Sequence, residues 1–157
     1  MITWRQETPL GPLRVVVGDP GLVHLSLPAR DDDHLDADPE RDDGIAAELD
    51  GYFAGTRRVF TMGIDLSIVG PEHFGRRVLE TLHAEVPWGE TVSYGELADM
   101  VRAPRAARAV GNVMAHSPIS VVVPCHRVIA ADGRIGGYGS DLSVKRALLA
   151  IEGIHPR

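Results

Sequence analysis

The one cysteine of the chain lies in the run Ile119-Ser120-Val121-Val122-Val123-Pro124-Cys125-His126-Arg127-Val128-Ile129. A lone cysteine is ordinarily a small buried hydrophobe. Here a histidine follows it at once, and that pairing points to nucleophile chemistry. A free thiol titrates near ~8.5, so little of it is thiolate at neutral pH, and a nucleophile needs a proton acceptor within reach. His126 is the adjacent candidate base. Neighbouring side chains point apart on an extended segment, so the backbone must turn here if His126 is to serve. Such a base also needs a carboxylate to orient it, and the residue types alone do not choose one. With a base in reach, the Cys125 thiol is expected to titrate below ~8.5. A single cysteine excludes an intramolecular disulfide and a multi-cysteine zinc site.

The elements that must position this pair can be read from the rest of the 157 residues, of which 44% are hydrophobic and 24% charged. That is one domain's worth of chain, or two small ones. No apolar run approaches the ~18 residues of a spanning helix. The start, Met1 to Glu7, lacks the basic-then-apolar pattern of a signal peptide, and a cytoplasmic location is expected.

Ile2–Trp4, Leu13–Val17 and Leu22–Leu27 are β-prone runs separated by Pro/Gly turns, which predicts an antiparallel meander. The acidic run Asp31–Asp43 reads as a solvated loop. Apolar residues at 45, 46, 49, 52 and 53 form a helical stripe, and Phe60–Ile68 reads as a further strand. From Pro71 the pattern turns helical. A helix is expected over Glu72–Val86 and another over Tyr94–Arg102, the latter with Ser93 and Glu96 as a capping box. A third is expected from Arg105 to Ala115 and a last over Leu142–Glu152, with Leu142, Leu148, Leu149 and Ile151 for burial. Ile119–Val123 reads as a buried extended segment. Two short helices around a tight turn resemble a helix-turn-helix. The expected class is α+β: residues 1–70 form a small antiparallel sheet with a helix, and residues 71–157 a mainly helical, winged-helix-like helix-turn-helix domain.

Charge is divided unevenly. Residues 1–70 carry a net charge of −7 and residues 71–157 a net of +1. Between 100 and 146, Arg102, Arg105, Arg108, Arg127, Arg134, Lys145 and Arg146 face only Asp132 and Asp141. Such asymmetry marks either a nucleic-acid-facing half or a solvated helix face. His73 and the other scattered histidines fit no ligand spacing and are read as surface or capping residues.

The Pro124-Cys125-His126-Arg127-Val128 motif resembles the active-site signature of the O6-alkylguanine-DNA alkyltransferases, the methylated-DNA–protein-cysteine methyltransferases. Collinear segments resemble the same family: Pro87-Trp88-Gly89-Glu90-Thr91-Val92-Ser93-Tyr94-Gly95-Glu96-Leu97-Ala98, the recognition-helix segment Ala106–Gly111, Gly136-Gly137-Tyr138-Gly139, and Lys145, Leu148, Leu149 and Glu152-Gly153. The resemblance covers about residues 71–153 and is weak before them. It implies DNA repair by a single, stoichiometric transfer of an alkyl group from O6 of guanine to Cys125, after the base is flipped from the duplex. Residue by residue, it implies that His126 deprotonates Cys125 through a water and that Glu152 orients His126. Tyr94 would donate a hydrogen bond to the leaving guanine. Arg108 would fill the gap in the base stack, with Ala107, Ala109, Gly111, Ser93 and Arg105 also at the DNA. Met114, the Val128 carbonyl, Tyr138 and Gly139 would form the base pocket. Ser117 stands at a hinge where an asparagine is common. The implied partner is double-stranded DNA, met through the minor groove without sequence preference, by a monomer with no membrane contact. An adducted base pairs poorly and costs less to extrude, and a thiolate is the soft nucleophile that displacement at carbon requires, so the implied transfer needs no metal and no cofactor. A non-reactive DNA-binding relative, a cysteine hydrolase and a helix-turn-helix regulator are the competing readings, and Cys125 or the missing oxyanion signature argues against each.

Overall fold

The computed structural model describes residues 1–29, 40–137 and 141–157. Most of the acidic run, and the expected pocket residues Tyr138 and Gly139, lie outside the described residues. The chain divides into two compact units. One holds Met1–Ile68 and Pro118–Ser120; the other holds Val69–Ser117 and Val121–Arg157.

The first unit is built on an antiparallel sheet of β1 (Ile2–Thr8), β2 (Gly11–Val17) and β3 (Leu22–Ser26), in that order. Trp4, Leu13 and Val15 are buried, as alternate positions of a half-covered sheet should be, and a register shift at Val16 and Val17 lets Leu22 and Leu25, three residues apart, both be buried. Helix α1 (Asp43–Phe53) starts where the Asp42 carboxylate accepts the Ile45 N–H at 3.0 Å. The end of the acidic run is therefore a helix cap, a role that short acidic side chains fill well. Buried Gln6 on β1 donates to the Ala46 carbonyl at 2.9 Å and to Asp50 at 2.8 Å, tying sheet to helix. The strand expected over Phe60–Ile68 does not form. Its pairing is a single bridge between Ile64 and Leu22, after which Asp65 turns the chain by accepting the Ser67 N–H at 2.9 Å.

The second unit holds α2 (Phe74–Glu85), β4 (Val92–Ser93), α3 (Tyr94–Met100), α4 (Ala107–Ala115), a 3₁₀ turn at Cys125–Arg127, β5 (Val128–Ile129) and α5 (Leu142–Ile151). Helix α2 starts two residues later than the pattern predicts, because His73 Nδ1 accepts the Gly75 N–H at 3.0 Å and fixes the cap there. The capping box at α3 forms as expected: the Ser93 hydroxyl accepts from the Glu96 N–H at 3.0 Å, and the Glu96 carboxylate accepts from the Ser93 N–H at 3.1 Å. Six residues separate α3 from α4 rather than a tight turn, with Arg102 at φ +60°. On α5 the buried residues are Val144, Lys145, Leu148 and Leu149, while Leu142 is 46% exposed, so the inward stripe lies one step round from the expected one.

Two further expectations change. The segment before Cys125 is buried but not uniformly extended: Val121 has φ +66°, in the left-handed region that a β-branched residue rarely enters. The basic stretch is also less available than its count implies. Arg127 is 6% exposed and Lys145 is fully buried, so two of its seven cations face the interior. The surface charge comes from Arg102, Arg105, Arg108, Arg134 and Arg146.

Ser93 closes β4 and begins α3, so its cap fixes the entry of the chain into Tyr94. Ser93→Ala removes one half of the box and is expected to cost about 1 kcal/mol of unfolding free energy. Urea denaturation with an unaltered m-value checks this, and a midpoint equal to that of the parent protein contradicts it.

Candidate active site

Pro124 turns the chain out of the buried valine run, and Cys125–Arg127 form a single 3₁₀ turn. Consecutive side chains on such a turn no longer point to opposite sides, which meets the requirement that the Cys-His pair imposes. The turn runs directly into β5, whose Val128 and Ile129 pair in parallel with Val92 and Ser93 of β4. Because β4 leads at once into α3, this two-residue pairing brings Tyr94 to the exit of the Cys125–Arg127 turn.

Cys125 is 4% exposed. Burial pushes its thiol up to about 11, against the lowering effects of a hydrogen bond with Ser117, its own backbone and the positive charge of Lys145. The expectation of a thiol below ~8.5 is thus overturned: in the free protein, desolvation outweighs every group that favours thiolate. Ser117, read from the sequence as a hinge, touches the sulfur itself.

His126 is fully buried and its Nε2 lies 2.6 Å from Glu152 Oε2. Burial lowers its pKa, against the raising effect of Glu152, while the charges of Arg127 and Lys145 lower it further. Burial alone would raise Glu152, but bonds and charge from His126 and Arg127 outweigh it and bring the carboxyl to about 2. An ionised carboxylate only accepts, so the neutral imidazole carries its proton on Nε2, which makes Nδ1 its basic nitrogen. Glu152 caps the end of α5, and its Oε1 also accepts the Gly89 N–H at 3.0 Å. Arg127 donates from Nε to Glu152 Oε1 at 2.8 Å, from Nη2 to Oε2 at 3.2 Å and from Nη1 to the Val86 carbonyl at 2.8 Å.

Lys145 lies seven residues before Glu152 on the same inward stripe of α5. Its Nζ donates to the Val128 carbonyl at 2.7 Å and to the Gly137 carbonyl at 2.8 Å, and sits 5.8 Å from the Tyr94 ring centre. Burial brings its ammonium down to about 8, opposed by the Cys125 thiolate charge. The Tyr94 hydroxyl donates to the same Gly137 carbonyl at 3.1 Å. Burial raises the phenol above its ordinary range, so Tyr94 keeps its proton. Gly136 packs against this ring: a Cβ there would sit 3.0 Å from Tyr94 Cε2 and Oη, at a backbone φ of +74°. Only glycine fits without displacing the tyrosine.

A cavity of about 600 Å³ opens beside Tyr94, lined by Ala107, Arg108, Gly111, Met114, Ala115 and Gly137. Its volume falls in the range of small-molecule sites and its wall is mostly apolar, as a flat aromatic guest requires. Gly111 keeps α4 small opposite the Tyr94 ring. Arg108, Ala109 and Arg105 are exposed on or just before α4, whereas Ser93, expected at the DNA, is 7% exposed with its hydroxyl spent on the α3 cap. The Val128 carbonyl, expected to receive a base, is already engaged by Lys145 and has one lone pair left. Among the described residues, no three His, Cys, Asp or Glu side chains group closely enough to hold a metal ion.

The sequence reading missed Arg127 and Lys145 as site residues, counting both as surface charge. The signal available was their place: Arg127 follows His126 directly, and Lys145 lies at i−7 from Glu152 on an apolar helical stripe.

Residues 73–154 match the family model described as 6-O-methylguanine DNA methyltransferase, DNA binding domain. The methylated-DNA–protein-cysteine methyltransferase of Mycobacterium tuberculosis is 42% identical, over 97% of this chain and 93% of its own. That of Methanosarcina acetivorans is 36% identical over 94% of this chain and 95% of its own. The crystal structure of Mycobacterium tuberculosis OGT in complex with DNA superposes with a TM-score of 0.84 at 39% identity, covering 96% of this chain and 92% of that one. The O6-methylguanine-DNA methyltransferase of Pyrococcus kodakaraensis, at 24% identity and a TM-score of 0.68 over 97% of this chain and 98% of that one, shares the fold. In sequence along nearly its full length, and in fold, the chain belongs to the methylated-DNA–protein-cysteine methyltransferase family.

Proposed function

We propose that this protein repairs DNA by moving an alkyl group from O6 of a guanine onto its own Cys125, once per molecule. The observation that carries the reading is the buried Cys125–His126 turn backed by Glu152 at 2.6 Å from the imidazole. No other described cysteine competes for the role.

The chemistry follows from the groups in place. The thiol at rest is neutral, held so by burial. His126, neutral and basic at Nδ1, takes it as the substrate arrives. The proton's departure leaves a thiolate near the Lys145 ammonium and an imidazolium against the Glu152 carboxylate, so each new charge meets its opposite. The sulfur then attacks the alkyl carbon. The S–C bond forms as the C–O6 bond breaks, and the electron pair passes to the guanine. Tyr94, whose phenol keeps its proton, turns its hydroxyl from Gly137 to the leaving base. The thioether product has no easy leaving path, which ends the cycle.

The substrate base is inaccessible in a duplex and must be extruded, at a few kcal/mol. We assign Arg108 to the gap left in the stack and the cavity beside Tyr94 to the flipped base. Ala107, Ala109 and Gly111 keep the face of α4 small enough to approach the minor groove, with Arg105 at the phosphates. Contacts of this kind position the protein without reading sequence. The protein acts as a monomer on DNA in the cytoplasm, where a single thiol stays reduced.

Three outcomes test this reading. Incubation with duplex containing O6-methylguanine adds one methyl mass to Cys125, and Cys125→Ser abolishes transfer; mass spectrometry reads both, and several methyl groups removed per molecule refute the single-use mechanism. Arg108→Ala slows repair of duplex far more than reaction with free O6-benzylguanine, since only the duplex needs extrusion; equal losses remove Arg108 from the stack. His126→Asn slows transfer by about 10²-fold or more, as loss of a general base does. Because burial lowers the His126 pKa, the base is available through neutral pH, and the rate falls only as pH drops through that lowered value. Single-turnover rates against pH show this limb, and a limb at or above the ordinary histidine value near ~6.5 contradicts it.

A further inference from the structure

Glu152 receives more donors than orienting one histidine requires. Its Oε2 is shared by His126 Nε2 at 2.6 Å and Arg127 Nη2 at 3.2 Å, while Oε1 takes Arg127 Nε at 2.8 Å and the Gly89 N–H at 3.0 Å. The Arg127 side chain is 8% exposed and that of Glu152 is fully buried, so water screens little of this charge. A guanidinium gripping both oxygens of a carboxylate is a fixed, planar arrangement that lysine cannot copy.

We propose that Arg127 is a positioning residue for alkyl transfer: by holding Glu152 through both oxygens, it sets how much of that negative charge reaches His126 and so keeps the imidazole a neutral, ready base. The inference rests on the reading of His126 as the proton acceptor. Every charged group that faces His126 enters the balance. Glu152 at the end of α5 favours the imidazolium; Arg127 beside it on the 3₁₀ turn and Lys145 from the middle of α5 oppose it.

Without Arg127, an unshared Glu152 would bind the protonated ring more tightly. His126 would then hold its proton at higher pH and stand occupied when a thiol needed deprotonation. With Arg127 in place, the carboxylate can still stabilise the imidazolium once formed, but it does not draw a proton from solvent beforehand. A side chain whose only work was to tie the turn to α2, through the Val86 carbonyl at 2.8 Å, would affect stability without touching this balance.

The experiment is the single-turnover rate of methyl transfer from saturating O6-methylguanine duplex, measured from pH 5 to 9, with thermal melts of each protein alongside. Arg127→Gln removes the charge and the fork; Arg127→Lys keeps a cation but releases one carboxylate oxygen. The acid limb is expected to move to higher pH by about one unit in Arg127→Gln, the lower end of the effect of a neighbouring charge, and by less in Arg127→Lys. On the falling limb, one unit is about a tenfold loss of rate, while the plateau at high pH changes far less. Each variant decides by itself, so one that fails to fold leaves the other in force: a folded variant whose limb coincides with that of the parent protein overturns the proposal. His126→Asn separates the two readings. If it keeps the parent rate, His126 is not the base and the premise fails; if it loses rate while the Arg127 limbs stay fixed, only the role of Arg127 is wrong.

Discussion

One buried carboxylate organises the site. Glu152, at the end of α5, gathers donors from two other parts of the chain: the Gly89 turn after α2, and His126 and Arg127 of the Cys125–Arg127 turn. An unpaired charge at that depth would be prohibitive, so the segments are held together by the need to satisfy it. Removing any one donor leaves the others imperfectly matched. The same interaction that holds His126 therefore also ties the second unit together, and stability must be measured whenever it is perturbed.

The resting thiol is a poor nucleophile by design of its surroundings. At about 11 it is almost wholly protonated at neutral pH, although Ser117 and Lys145 both favour the thiolate. A low-pKa thiol would react with any passing electrophile or oxidant, whereas a buried, neutral one is inert until a proton acceptor and a substrate coincide. If the transfer is single-use, as proposed, that inertness preserves the one equivalent of reagent. Lys145 is buried with two carbonyls and an aromatic face around it, and its charge remains for the sulfur.

Much of this was legible in the sequence, and the reasons for the remainder are physical. The meander, the α1 stripe and the Ser93–Glu96 box could be read because each is local: alternation, capping chemistry and 3.6-residue spacing leave their mark within a dozen residues. The Cys-His turn could be required from the pair alone, as adjacent residues must turn to cooperate. The thiol's pKa could not, because it depends on desolvation by residues distant in the chain. Nor could the interior places of Arg127 and Lys145, since a cation's burial is decided by partners such as Glu152 and Gly137. The false strand at Phe60–Ile68 had strand composition but lacked a neighbour beyond one bridge with Leu22. Tertiary pairing, which composition does not record, made the difference.

Val121, four residues before Cys125, combines a fully packed side chain with a backbone that only glycine adopts without cost. The left-handed conformation costs of order 1–3 kcal/mol, and burying the isopropyl group returns about 1.5–3 kcal/mol. Glycine would relieve the first and forfeit the second, so the two residues come out close to even in net stability. They would not be even in stiffness, since the branched side chain has few rotamers and a restricted backbone where glycine has neither limit. Drift at this position would be nearly invisible to thermal denaturation, yet it would alter how sharply the loop defines where the sulfur sits.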